Sequence, residues 1–147
     1  MSQQPVSRYF TVAEANSHIA ELQELFGRVM QLRSQLKVLY QELDEAGFAP
    51  RDNSEHELSE MPPPIARLHS VFLGLADTLQ EQIEAIMEIG CVIKDIETGL
   101  VDWPSRHEGR DIWLCWKYGE LEVEFWHELT TGFAGRRPVS DLGTEHS

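Results

Sequence analysis

Three observations predict an α+β fold. Apolar residues recur at steps of three and four up to Gly90, the period changes to two after it, and glycine stop signals stand at Gly47 and Gly90. The expected architecture is a long antiparallel two-helix hairpin followed by a small antiparallel β-meander of three to four strands. A length of 147 residues suits a single domain over 1–147. Its segments are helix 1 with its lead-in (1–48), an acidic linker ending in prolines (49–63), helix 2 (64–90), the meander with a GFAGRRP segment (91–138), and a disordered tail (139–147).

Thr11-Val12-Ala13-Glu14 is a capping-box pattern in which Thr11 and Glu14 satisfy each other's backbone amides. From there Ala15, Ile19, Leu22, Phe26, Val29, Leu32, Leu36, Leu39 and Leu43 line one face, with the alternating spacing of a coiled-coil seam. One unbroken helix from about Val12 to Ala46 is expected, with Gly47 as its C′ residue. Phe48 to Pro63 reads as a solvated linker, and its acids Glu55, Glu57 and Glu60 as a solubilising surface. Pro64 suits the first turn of a second helix, whose stripe is Ile65, Leu68, Phe72, Leu75, Leu79, Ile83 and Ile86. Val71, Ala76, Met87 and Ile89 lie beside that stripe. Two helices bury one seam, so this surplus implies cover, either by a second copy in a four-helix bundle or by the sheet of the same chain.

Beyond Gly90, Cys91–Ile96 reads as a strand and Leu100–Trp103 as a second, ended by Pro104. Ser105–Gly109 reads as a loop, Asp111–Lys117 as a third strand and Leu121–Glu128 as a fourth. Tyr118-Gly119 invites a two-residue hairpin. That register faces Trp116 with Leu121, Leu114 with Val123 and Ile112 with Phe125 on an apolar side. It puts His127 on the same side opposite Arg110, and Trp113, Cys115 and Trp126 on the other.

The formal net charge is −13, which disfavours nucleic acid and anionic membranes as partners. The 14 acids and 6 bases up to Gly90 become 11 and 6 after it, which leaves room for a local basic site. Two cysteines are too few for a disulfide scaffold. No secretory leader or membrane-spanning apolar run is evident, so the expected setting is cytoplasmic.

Four constellations stand out. Gly132-Phe133-Ala134-Gly135 before Arg136-Arg137, with Arg110 and His127 at the nearby hairpin end, is a candidate anion site of backbone amides and guanidiniums. Pairing of those arginines with acids such as Glu124 or Glu128 is the competing reading. Cys91, Cys115, His127 and an acid such as Asp95 have metal-ligand chemistry, but no CxxC or HxxxH spacing. The expected register also separates Cys115 from His127, so no metal site and no cofactor are predicted. Asp95, Asp102, His127 and Glu128 are candidates for acid/base work, without a spacing that makes them converge. Asp95 and Asp102 read better as charge pairs at a sheet rim. No GxSxG elbow accompanies Ser105, and no catalytic residue is assigned. Trp113 and Trp126, on the less apolar face, are candidates for a protein-interaction surface.

The phrases YFTVAEAN, GCVIKDIETGLVDWPS, GRDIWLCWKYGE, FWHE and GFAGRRP resemble an uncharacterised bacterial family, domain of unknown function 2203, over about Tyr9 to Pro138. The resemblance implies that family's fold and a bacterial origin, and assigns no activity. The functional expectation is a non-enzymatic interaction or assembly protein, homodimeric through its helical hairpin. The alternative is a small anionic-ligand or catalytic pocket built by the sheet and the GFAGRRP segment.

Overall fold

Thr11 does cap the first helix. Its hydroxyl accepts from the Glu14 amide at 3.1 Å, and the Glu14 carboxylate accepts from the Thr11 amide at 2.9 Å. A computed structural model describes residues 8–50 and 60–143 of the chain. The centre of the acidic linker, residues 51–59, and the last four residues, 144–147, lie outside the described residues.

Helix 1 is not continuous. It divides into α1 (Val12–Asn16) and α2 (Ile19–Glu45). The polar residues at this junction, Asn16, Ser17 and His18, are drawn to other partners. The Asn16 side-chain oxygen accepts from the Val123 amide at 2.7 Å, Ser17 Oγ donates to the Glu14 carbonyl at 2.6 Å, and the His18 ring stacks on Trp103 at 5.6 Å. Short polar side chains with local and distant acceptors compete with the helical ladder, so the turn tightens there. At the other end Gly47 adopts φ +87°, and the Phe48 amide donates to the Leu43 carbonyl at 2.8 Å, closing a Schellman cap. Helix α3 (Pro63–Glu88) follows, and Gly90 ends it at φ +109°. A Cβ at Gly90 would lie 2.6 Å from Phe10 Cζ, so glycine also permits that close packing.

The sheet has five antiparallel strands in sequential order, not three or four. They are β1 (Val92–Asp95), β2 (Leu100–His107), β3 (Arg110–Lys117), β4 (Phe125–Glu128) and β5 (Arg137–Pro138). Strand β2 runs through Pro104 to His107. Strand β1 pairs only with Leu100–Asp102, so at Pro104 the missing N–H disrupts no β1 ladder bond. The Phe10 amide instead donates to the Pro104 carbonyl at 2.7 Å. Glu108 and Gly109, both at positive φ, make the tight turn into β3, so the expected Ser105–Gly109 loop is mostly strand.

The last hairpin differs most. Leu114 faces Trp126, not Val123, a slip of three residues. Tyr118-Gly119 makes the expected turn, with the Glu120 amide donating to the Lys117 carbonyl at 2.9 Å, but Glu120 is then drawn away from further pairing. Its carbonyl accepts from Trp116 Nε1 and Gln23 Nε2, and its carboxylate accepts from the Lys117 amide and Arg136. Leu121, expected in the core, is 88% exposed, and β4 begins only at Phe125. An odd slip moves every β4 side chain to the opposite face.

The chain divides into two units, residues 1–26 with 85–147, and residues 27–84. In the first, Phe10, Leu22, Phe26 and Ile86 are buried, as are Val101, Trp103, Ile112, Leu114, Trp116 and Trp126 from the sheet. The expected tail is structured as far as it is described: Val139–Leu142 forms a 3-10 helix with Leu142 buried. In the second unit, Arg28 meets Gln82 and Tyr40 meets Phe72, so the α2 and α3 contacts run in opposite chain directions. No helix among the described residues is long and apolar enough to cross a membrane.

The capping box makes a prediction. The Thr11 amide and the Arg8 guanidinium hold the Glu14 carboxyl below its ordinary value of 4.5. A depressed folded pKa contributes stability above the unfolded pKa, and that contribution is lost as pH falls through the folded value. Glu14→Gln is therefore expected to flatten the loss of Tm on acidification from about pH 5 downward. An unchanged slope in thermal melts would show that this cap contributes nothing to acid stability.

Candidate functional site

The slipped register builds a polar cluster inside the first unit. His127 now faces Trp113, and Cys115 stands between Asp102 on β2 and Phe125 on β4. Asp102, Cys115 and His127 thus share one face, and their ligand-type atoms all lie within 4.8 Å of one another. All three are at most 3% exposed. The parity that separates Cys115 from His127 in the expected register is reversed.

His127 Nδ1 lies 2.8 Å from the Glu128 carbonyl oxygen, which only accepts, so Nδ1 carries a proton. The ring's Nε2 is 2.9 Å from Asp102 Oδ2. One proton therefore lies between Nε2 and Oδ2, and the pair is net neutral whichever atom holds it. Asp102 Oδ1 is buried without a hydrogen-bond partner. Burial raises the Asp102 carboxyl above its ordinary pKa, while His127, Lys94 and the Cys115 thiol pull it the other way. Burial, with help from Asp102, pushes the Cys115 thiol up to about 12, so in this state it is a protonated thiol and a poor nucleophile.

A cavity of about 160 Å³ opens over the pair. Lys94, Trp113, Asp102 and His127 line its sheet side, and Leu129, Gly132 and Phe133 the other. The Lys94 ammonium sits 4.6 Å from the Trp113 ring centroid.

The residues proposed for an anion site do not converge. Arg110 pairs with Glu128 at 3.0 Å on the sheet face opposite His127. Arg137 lies over Trp126, 5.1 Å from its ring centroid, on that same opposite face. Arg136 borders Cys115, but its guanidinium is held between Phe125 and Phe133, at 4.0 and 4.1 Å, and bonds Glu120 at 3.0 Å. The Gly135 and Arg136 amides donate to backbone carbonyls within the turn, so they form no open nest.

Trp113 and Trp126 lie on opposite faces of the sheet. Trp126 is buried and donates to the Pro138 carbonyl at 3.1 Å, so it is no exposed anchor; Trp113 is half-buried at the cavity. Of the other candidates, Cys91 is buried with its thiol against the Ile86 carbonyl, and Asp95 caps the Glu97-Thr98 turn. Neither joins the cluster among the described residues. Asp102 is no rim residue: it is 2% exposed and part of the cluster. The cavity roles of Lys94 and Phe133 had no signal in the sequence, because they depend on how the 129–136 segment folds over the sheet.

No curated protein and no solved structure matches the chain significantly. The family model for an uncharacterized conserved protein, DUF2203, matches residues 8–139, and the chain belongs to that family.

Proposed function

We propose that the chain is a non-enzymatic assembly protein that self-associates through an antiparallel α2–α3 hairpin, two copies forming a four-helix bundle. One observation carries this reading. Leu32, Leu36 and Leu39 on α2, and Ile65, Leu68, Phe72, Leu75, Leu79 and Ile83 on α3, are all only half-buried. Earlier on the same α2 stripe, Leu22, Phe26 and Val29 are fully buried. Val38, Tyr40, Val71 and Leu73 are exposed beside it. A groove of about 380 Å³ lined by Leu36, Tyr40, Phe72 and Leu79, together with Arg33 and Lys37, runs along this face. An apolar surface of this kind favours removal from water by roughly 25 cal/mol per Å². A second copy is the occupant that a self-complementary helical pair accepts through two-fold symmetry.

Phe72→Glu is expected to convert dimer to monomer in sedimentation velocity, weakening association by at least about 100-fold, with helical circular dichroism retained. Leu121→Glu, at an exposed site in the other unit, is the control and leaves the dimer intact. A Phe72→Glu variant that still sediments as a dimer would remove the hairpin from the account.

A second reading rests on the cavity over Asp102 and His127, where Lys94 offers positive charge to a small anionic molecule. Its volume admits only a few heavy atoms, so a large cofactor is not the expected occupant.

A further inference from the structure

The Asp102–Cys115–His127 cluster combines a carboxylate, a thiol and an imidazole, each buried, from three neighbouring strands. We propose that these three side chains bind one divalent metal ion of the zinc type, with a fourth position open to the cavity lined by Trp113 and Phe133. The inference is independent of the self-association reading.

The donor set suits a borderline metal, because thiolate and imidazole select against magnesium and calcium, which prefer all-oxygen shells. Three protein ligands with one open position is also the form of non-structural zinc sites. Donors around such an ion lie about 3.2–3.8 Å apart for metal–ligand bonds of ~2.0–2.3 Å. The three donor atoms already lie within 4.8 Å of one another, so closing the site takes shifts of about 1 Å.

Two further features point to an ion. The His127 Nδ1–H is held by the Glu128 carbonyl, which fixes the ring with Nε2 turned into the cluster. Metal-binding histidines are oriented by this kind of bond from the other ring nitrogen. Asp102 Oδ1 is buried and unpartnered, a vacant acceptor that a cation satisfies.

Charge and protons balance. Entry of the ion releases the Cys115 thiol proton and the one proton shared by Asp102 and His127. The product, a dication with a thiolate, a carboxylate and a neutral imidazole, is net neutral, as the metal-free cluster is. Lys94 then remains a positive group lining the cavity, available to attract an anion to the open position.

The test uses cobalt(II) as a spectroscopic stand-in on the untagged full chain. Wild type is expected to bind one equivalent and develop a thiolate-to-cobalt charge-transfer band, which zinc(II) then displaces. Cys115→Ser is expected to abolish the band, and His127→Gln to weaken binding by at least about 100-fold, more than the 10–100-fold of an outer-shell loss. Cys91→Ser, outside the cluster, keeps the band. If wild type develops no band, or if Cys91→Ser removes it and Cys115→Ser does not, the assignment is overturned. The wild-type spectrum decides the matter even if a variant fails to fold.

Discussion

Trp103→Ala is expected to destabilise the protein by about 3–5 kcal/mol, the range for removing a fully buried aromatic. Trp103 is 0% exposed, with Phe10 edge-on at 5.0 Å and His18 stacked at 5.6 Å. It therefore ties the N-terminal lead-in and the α1–α2 junction to the centre of β2. Against a typical total of about 5–15 kcal/mol, the loss leaves a substantial unfolded fraction. The indole N–H has no hydrogen-bond partner, so Trp103→Phe sheds a buried unsatisfied donor and keeps much of the volume. It should cost less than half as much. Urea denaturation with an unchanged m-value measures both. Equal losses would mean that volume is not what Trp103 contributes.

Asp102→Ala carries the second large effect, again about 3–5 kcal/mol, because it leaves a buried partner uncompensated. His127 Nε2 has Asp102 Oδ2 as its partner at 2.9 Å, and both side chains are nearly sealed from water. Asp102→Asn keeps the shape and can donate its amide N–H to Nε2, so its cost is expected to be about 1–2 kcal/mol. His127→Ala removes the same interaction, so the double alanine variant should lose clearly less than the sum of the singles. Additive losses in denaturant melts would show that the two side chains do not act as a pair.

Local physics was legible in the residues and distant anchoring was not. The Thr11/Glu14 capping box and the glycine stops at Gly47 and Gly90 depend on neighbours a few positions away, and all three form as expected. Alternation along β3 correctly puts Ile112, Leu114 and Trp116 in the core. The misread features depend on long-range bonds. Asn16 reaches Val123, Glu120 meets Gln23 and Arg136, and Phe10 extends β2 past its proline. None of these partners is marked by periodicity. Strand β5, two residues long, is too short to show any period. The candidate site was hidden by the same error. Once β4 slips by an odd number of residues, His127 leaves the core face and joins Cys115 and Asp102. Each of these residues was visible singly, but their convergence was not.

Native mass spectrometry of the untagged wild-type chain at micromolar concentration tests the central claim most directly. Self-association through the half-exposed α2–α3 stripes predicts a species of twice 16.8 kDa that dissociates on dilution. A species of 16.8 kDa alone, unchanged up to the highest concentration sprayed, would contradict it.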